Sequence, residues 1–311
     1  MCILPFFWST KTVILDNDEL FIEEIKELLG AKSEQFIFFT DPVTALEYIN
    51  NQKINSDCFI TVEKQFDSET IYFNTNFNLI KDIILDSNRY DIISNIIVDY
   101  HMPVMTGIEF CLKIKNKSIP KTLLTASMHQ DDIINNFNEN TINGFIDKKN
   151  IIKYNYLENY IAHTNKKYFQ TKASFIVNAI TASYSAHPIL FSEYNEIIKE
   201  IIINHKIKEY YLLNYSGSFI MIDTNSVFHY LFLFTKEEVD EFAAETLVNN
   251  AGINASLALY SYKKALCYYD ETNPLSWPSD ENWEKFLQPV KEFNINNNKY
   301  YYALVEKNRC S

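Results

Sequence analysis

The sequence predicts a doubly wound α/β domain with a parallel five-stranded sheet, followed by a helical linker and an α+β domain built on an antiparallel sheet. Three observations carry that prediction. Short apolar runs alternate with helical periodicity through the first half, each run stops at a polar residue, and past residue 187 the pattern changes to paired strands around turn residues. The 311 residues are 47% hydrophobic and 15% aromatic, enough apolar material to close two cores of ordinary size.

In order along the chain, Val13 to Leu15 is a buried-strand run that ends in Asp16-Asn17-Asp18. Leu20, Phe21, Ile25, Leu28 and Leu29 then repeat at helical spacing until Gly30. Phe36 to Phe39 is a second strand, and Thr40-Asp41-Pro42 opens a helix with apolar positions Val43, Leu46 and Ile49. The stretch 53–90 is polar and irregular apart from an apolar helical patch at Leu79 to Leu85. Strands follow at Asn95 to Asp99, Lys121 to Thr125 and Phe145 to Lys148, with helices after Gly107 and around Ile133 to Phe137. Strands apolar on both faces belong to a parallel sheet covered by helices. Ile152, Leu157, Ile161, Tyr168, Phe169, Ile176 and Ile180 make one long helix or two.

Composition excludes several function classes. With 28 Lys+Arg against 40 Asp+Glu, the formal charge of −12 argues against a broad nucleic-acid footprint. Only Gly30, Gly107, Gly144, Gly217 and Gly252 occur, so neither a P-loop nor a dinucleotide-binding glycine turn can be built. Cys2, Cys58, Cys111, Cys267 and Cys310 lie too far apart for a zinc site or a disulfide framework, and the six histidines form no helical metal pair. Charged residues interrupt every apolar stretch, so no membrane partner is expected, and the apolar run Met1 to Trp8 lacks the parts of a secretory signal. A cytoplasmic location is the expectation.

Ligands of open α/β sheets bind beyond the carboxyl ends of the strands. The residues at those ends are Asp16, Asn17, Asp99, Thr125 and Lys148: carboxylates and an amide for a hard cation, a hydroxyl and an ammonium. Mg²⁺ takes oxygen ligands and keeps several waters, so two or three such oxygens suffice. A carboxylate beside it can attack a phosphoryl group whose charge the metal screens. Lys148 would pair with the product and Thr125 would donate a hydrogen bond to it.

These motifs resemble the receiver domain of two-component response regulators. VILDND supplies the acidic corner at Asp16 and Asn17, IIVDYHMPVMTG the phosphoacceptor Asp99 with Met102-Pro103 and Gly107, LLTAS the hydroxyl Thr125, and GFIDKK the lysine Lys148. The resemblance implies phosphorylation of Asp99 by a sensor histidine kinase or phosphotransfer protein. It implies Mg²⁺ bound by Asp16, Asn17, Asp99 and the His101 backbone carbonyl, and a switch in which Phe145 follows Thr125. Three departures stand out: Asn17 in place of a second acid, Lys149 in place of a proline, and the insert 53–90. The domains expected are a receiver at 10–150 carrying that insert, a helical linker at 151–182 and an output domain at 183–308.

In the second half, a helix through Tyr194, Ile197, Ile198 and Ile201 precedes strands at Glu209 to Asn214, Ser218 to Asp223 and Phe228 to Phe234, the first two flanking the Ser216-Gly217 turn. Thr235 to Glu238 has the form of a capping box, and strands at Ala265 to Tyr269 and Tyr300 to Val305 bracket a Pro- and Trp-containing stretch. Residues 183–311 carry 11 Lys+Arg against 17 Asp+Glu, so no DNA-binding face is expected. The aromatics Tyr210, Tyr211, Phe219, Phe228, Tyr230 and Tyr300 to Tyr302 read as core ahead of a ligand pocket. HPILFSEY, IKEYYLLNYSGSFIMID and KYYYAL, with FCLKIKNKSIPKTLLTAS upstream, resemble the Legionella quorum-sensing response-regulator family, whose output motifs mark kinship without an activity. This second resemblance implies signalling, with quorum sensing as its setting, through an output that is not an enzyme, with homodimerisation on phosphorylation. A phosphorylation-independent pseudo-receiver scaffold is the alternative, favoured by Asn17. An output enzyme or nucleotide binder has the least support.

Overall fold

A computed structural model describes residues 3–52, 60–64, 71–75, 77–126, 141–151, 153, 155–183, 187–214, 216–248, 253–268 and 283–307. The chain forms two compact units. One comprises Ser9–Asp57 and Ile84–Lys172, the other Met1–Trp8, Cys58–Ile83 and Ala173–Ser311. The first strand, β1 (Phe6–Phe7), therefore belongs to the unit that also holds the carboxyl-terminal half.

In the α/β unit, β2 (Lys11–Leu15) leads to α1 (Glu19–Leu29), β3 (Phe36–Phe39) and α2 (Pro42–Asn51). The insert forms an antiparallel pair, β4 (Ile60–Lys64) with β5 (Ile71–Thr75), and α3 (Phe77–Leu85), where the sequence alone shows only a helical patch; of these, all but the last two residues of α3 fall in the other unit. Then come β6 (Ile93–Asp99), α4 (Gly107–Lys113), β7 (Lys121–Thr125), β8 (Gly144–Asp147), the short α5 (Lys148–Ile151) and the long α6 (Tyr156–Ser183), of which the residues through Lys172 belong to this unit and the rest to the other. The five strands pair in parallel in the order β3-β2-β6-β7-β8, the doubly wound sheet expected. Every residue of β6 and β7 is buried, which is why these strands read as unbroken apolar runs. The helix expected around Ile133 to Phe137 lies outside the described residues.

The helix ends follow local chemistry. Asp18 caps α1 by accepting from the Leu20 and Phe21 N–H groups, and Asp41 caps α2 by accepting from Thr44 N–H with Pro42 at the first turn. Thr106 and Glu109 cap α4 reciprocally. The apolar faces differ from the sequence reading. In α1 the buried stripe is Ile22, Ile25 and Leu29, leaving Leu20 and Leu28 exposed, and in α2 it is Pro42, Ala45 and Ile49, leaving Val43 exposed. Each stripe keeps the i, i+3, i+7 spacing of one helix face, and the extra leucines and valine fall beside it. Lys148 opens α5 instead of closing β8.

The second unit is a six-stranded antiparallel sheet in the order β1-β9-β10-β11-β15-β14. Its elements after α6 are α7 (Ser192–Asn204), β9 (Ile207–Leu212), β10 (Phe219–Asp223), β11 (Phe228–Thr235), α8 (Lys236–Val248) and α9 (Ile253–Tyr260). They continue through β12 (Lys264–Leu266), β13 (Leu287–Pro289), β14 (Lys291–Ile295) and β15 (Asn298–Lys307). Asn296 and Asn297, both at positive φ (49° and 67°), make the two-residue turn between β14 and β15, a conformation asparagine tolerates. Of the aromatics expected as core, Tyr210, Tyr211, Phe219, Tyr230, Tyr300 and Tyr301 are buried, while Phe228 and Tyr302 are half-buried.

Residues 3–8 strap onto this sheet. Phe6 pairs with Tyr211 and Phe7 with Tyr210, the Leu212 N–H donates to the Pro5 carbonyl (2.7 Å), and the Ile3 N–H donates to the Asn195 side-chain oxygen. Trp8 stacks on Phe6 at 5.6 Å and on Tyr211 at 5.7 Å. Residues 3–8 therefore supply an edge strand and core of the sheet unit.

Candidate functional site

Parallel register sets the site. Leu15 lies beside Val98, so the residues that follow them, Asp16 and Asp99, reach the same carboxyl edge on adjacent strands. Lys148 arrives at that edge from the end of β8, and its long stem lets the ammonium meet both acids: Nζ is 2.6 Å from Asp16 Oδ2 and 2.8 Å from Asp99 Oδ1. The Asp16 side chain is wholly buried and that of Asp99 is 8% exposed, so these are desolvated ion pairs. Asp16 Oδ1 accepts from the Asp18 N–H at 3.0 Å, which fixes the carboxylate against the loop into α1.

Burial holds the Asp16 carboxyl above the usual carboxylate range, against the opposing pull of Lys148 and the Asp18 N–H. Burial alone would depress the Lys148 ammonium, but its hydrogen bonds to Asp16 and Asp99 outweigh this and hold it above the usual lysine value. A carboxyl raised in the folded state stabilises the fold fully below its unfolded value, and that contribution is lost as pH rises through the folded value. Asp16→Asn in chelator-containing buffer is therefore expected to make stability climb more steeply than in the parent as pH rises above the ordinary carboxylate range. Urea midpoints over that rise measure it; identical slopes would contradict the assignment.

The remaining expected residues fall around this centre. Thr125, buried, ends β7 one residue beyond the Leu124 that pairs with Asp99. Phe145 lies on β8 with 42% of its surface exposed. Asn17 and His101 are exposed, His101 with its ring edge-on to Tyr100 at 4.5 Å. Gly107 is required by close approach: a Cβ there would collide with the backbone carbonyl of Asp99. Its N–H donates to the Tyr100 carbonyl at 3.0 Å, tying α4 to the loop after the acid. Phe21 escaped the sequence reading as a site residue, since helical spacing marks it only as core. Its ring lies 4.8 Å from Lys148 Nζ.

The donor set suits a hard cation that keeps most of its water. Among the described residues no three His, Cys, Asp or Glu side chains converge as metal ligands. Two carboxylates converge at Lys148, and such a pair of oxygens fits a cation that keeps several waters.

The five-stranded parallel sheet fits the receiver-domain fold, and the six-stranded antiparallel sheet forms a separate unit. No family model and no curated relative matches the chain. Among solved structures it is similar to the Legionella pneumophila response regulator LqsR, with 24% identity, a TM-score of 0.75, and coverage of 98% of this chain and 90% of that one. That likeness shows a shared fold along nearly the whole chain. Also similar is a signal receiver domain of an HD domain-containing protein from Pseudomonas fluorescens, at 14% identity over 53% of this chain and 92% of that one, with a TM-score of 0.37. A CheY-like receiver domain from Methanospirillum hungatei is 12% identical over 51% of this chain and 96% of that one, with a TM-score of 0.33. No helix among the described residues is long and apolar enough to cross a membrane.

Proposed function

We propose that the chain is a response regulator of a two-component phosphorelay, phosphorylated on Asp99 by a sensor histidine kinase or phosphotransfer protein. The observation that carries this reading is the Lys148 ammonium bridging Asp16 and Asp99 where β2 and β6 end. An Asp99 carboxylate oxygen attacks the phosphorus of a phosphohistidine; the O–P bond forms, the N–P bond breaks, and the leaving imidazole takes a proton from solvent. Mg²⁺ held by Asp16, Asp99, the Asn17 amide oxygen and the His101 carbonyl would screen the phosphoryl charge. Lys148 exchanges a carboxylate for a phosphoryl oxygen, Thr125 donates its hydroxyl to another, and Phe145 moves with Thr125.

In this reading the receiver spans 10–150 with its insert at 53–90, the linker 151–182, and the output domain 183–308. The output acts in the cytoplasm without DNA binding or catalysis, through phosphorylation-dependent homodimerisation, and serves quorum sensing. The similarity to LqsR supports the architecture of this arrangement. Incubation with a small acyl phosphate and Mg²⁺ is expected to add one phosphoryl group to the intact mass and to shift the chain to a dimer in size measurements. The exposed Asn17 favours a second reading, a scaffold that acts without phosphorylation. Unchanged mass in the presence of both reagents would select it.

A further inference from the structure

We propose that Phe21 is a positioning residue: the face of its ring holds the Lys148 ammonium against the two carboxylates and, after phosphorylation, against the phosphoryl oxygens. This deepens the phosphoacceptor reading of Asp99 and rests on it.

An ammonium has three N–H groups. Two sides of Lys148 Nζ face Asp16 Oδ2 at 2.6 Å and Asp99 Oδ1 at 2.8 Å, and the Phe21 ring centroid lies 4.8 Å away. That distance is inside the range at which the negative face of an aromatic ring attracts a cation, and the attraction grows as water is excluded. The ring is aimed by a chain of hydrogen bonds that starts at the acid itself. Asp16 Oδ1 accepts from the Asp18 N–H at 3.0 Å, and Asp18 Oδ1 accepts from the Phe21 N–H at 3.2 Å. Asp18 thus fixes the first turn of α1 so that Leu20 points to solvent, 78% exposed, while Phe21 tucks in against the apolar core that includes Ile22 and Ile25. The Asp99 carboxylate holds Lys148 only while it is unmodified. The ring keeps its contact in both states, which gives the ammonium a fixed anchor as it exchanges an aspartate oxygen for a phosphoryl oxygen.

Two variants separate an electrostatic anchor from mere packing: Phe21→Leu retains apolar bulk without the aromatic face, and Phe21→Tyr retains the face. The full chain is titrated with beryllium fluoride in Mg²⁺ as the phosphoryl probe. Phe21→Leu is expected to weaken binding about fivefold, equivalent to roughly 1 kcal/mol, and Phe21→Tyr to stay within about twofold of the parent. A second readout needs no phosphorylation: in chain labelled at lysine, the Lys148 ε-methylene protons should be shifted upfield by the ring current, and the shift should vanish in Phe21→Leu. Parent-like binding by Phe21→Leu, or a Lys148 resonance indifferent to it, overturns the proposal. Failure of the parent to bind the probe would overturn the phosphoacceptor reading together with the phosphoryl half of this proposal, while the resonance shift would still decide whether the anchor exists.

Discussion

Lys148→Met is expected to destabilise the α/β unit by about 3–5 kcal/mol, the cost of stranding buried charge by removing one partner. Methionine matches the length and apolar stem of lysine but carries no charge, so the fold loses little packing. What it loses is, among the described residues, the cation that touches both Asp16 and Asp99, whose side chains are 0% and 8% exposed. The local charge goes from −1 to −2 on two carboxylates at one strand edge, each raising the cost of the other. The pH dependence has a definite sign. Because Lys148 is held above the usual lysine value, its contribution is complete below that value and disappears only as pH rises through the folded one. The deficit is therefore present at neutral pH and shrinks in acid, where protonation removes the repulsion. Urea denaturation followed by circular dichroism checks this, and millimolar Mg²⁺ should recover part of the loss. A variant as stable as its parent would mean that the three groups are not coupled.

Trp8→Ala is expected to cost the sheet unit about 3–5 kcal/mol, the range for emptying a buried large aromatic position. Trp8 is 9% exposed and stacks on both Phe6 and Tyr211, so the substitution opens a cavity and removes two ring contacts. The consequence propagates through β1, which is only two residues long and depends on its flanks. Once it detaches, the Leu212 N–H loses the Pro5 carbonyl and β9 becomes an open edge. Hydrogen exchange offers a local reading: amide protection at Leu212 should fall by more than at Leu231, which lies in the interior strand β11. Uniform loss at both positions would contradict a role specific to the strap.

The difference between what the sequence revealed and what it concealed is one of range. Asp99 and Thr125 close their strands and Asp16 and Lys148 directly follow theirs, so all four could be picked out wherever a short apolar run stops, and parallel register brings such ends to one edge. The parallel pairing of the five strands followed from the same alternation. Residues 3–8 had no such signal: the Phe6–Tyr211 pairing joins positions remote in sequence, and a two-residue strand has no period to read. β14 was hidden for a different cause. It is an edge strand with Lys291 and Glu292 exposed, so its alternation is faint, and only the Asn296-Asn297 turn marks its end. In α1, composition offered more leucines than one face can bury, and packing against the sheet, which spacing alone does not fix, selected Ile22, Ile25 and Leu29.

The most direct measurement is the chemical location of the phosphoryl group. Protein treated with an acyl phosphate and Mg²⁺, then reduced with borohydride, converts an aspartyl phosphate to homoserine, which peptide mass spectrometry places in the sequence. The account predicts homoserine at residue 99 alone and none in Asp99→Asn. Conversion at another aspartate, or a phosphoryl mass that persists in Asp99→Asn, would contradict it.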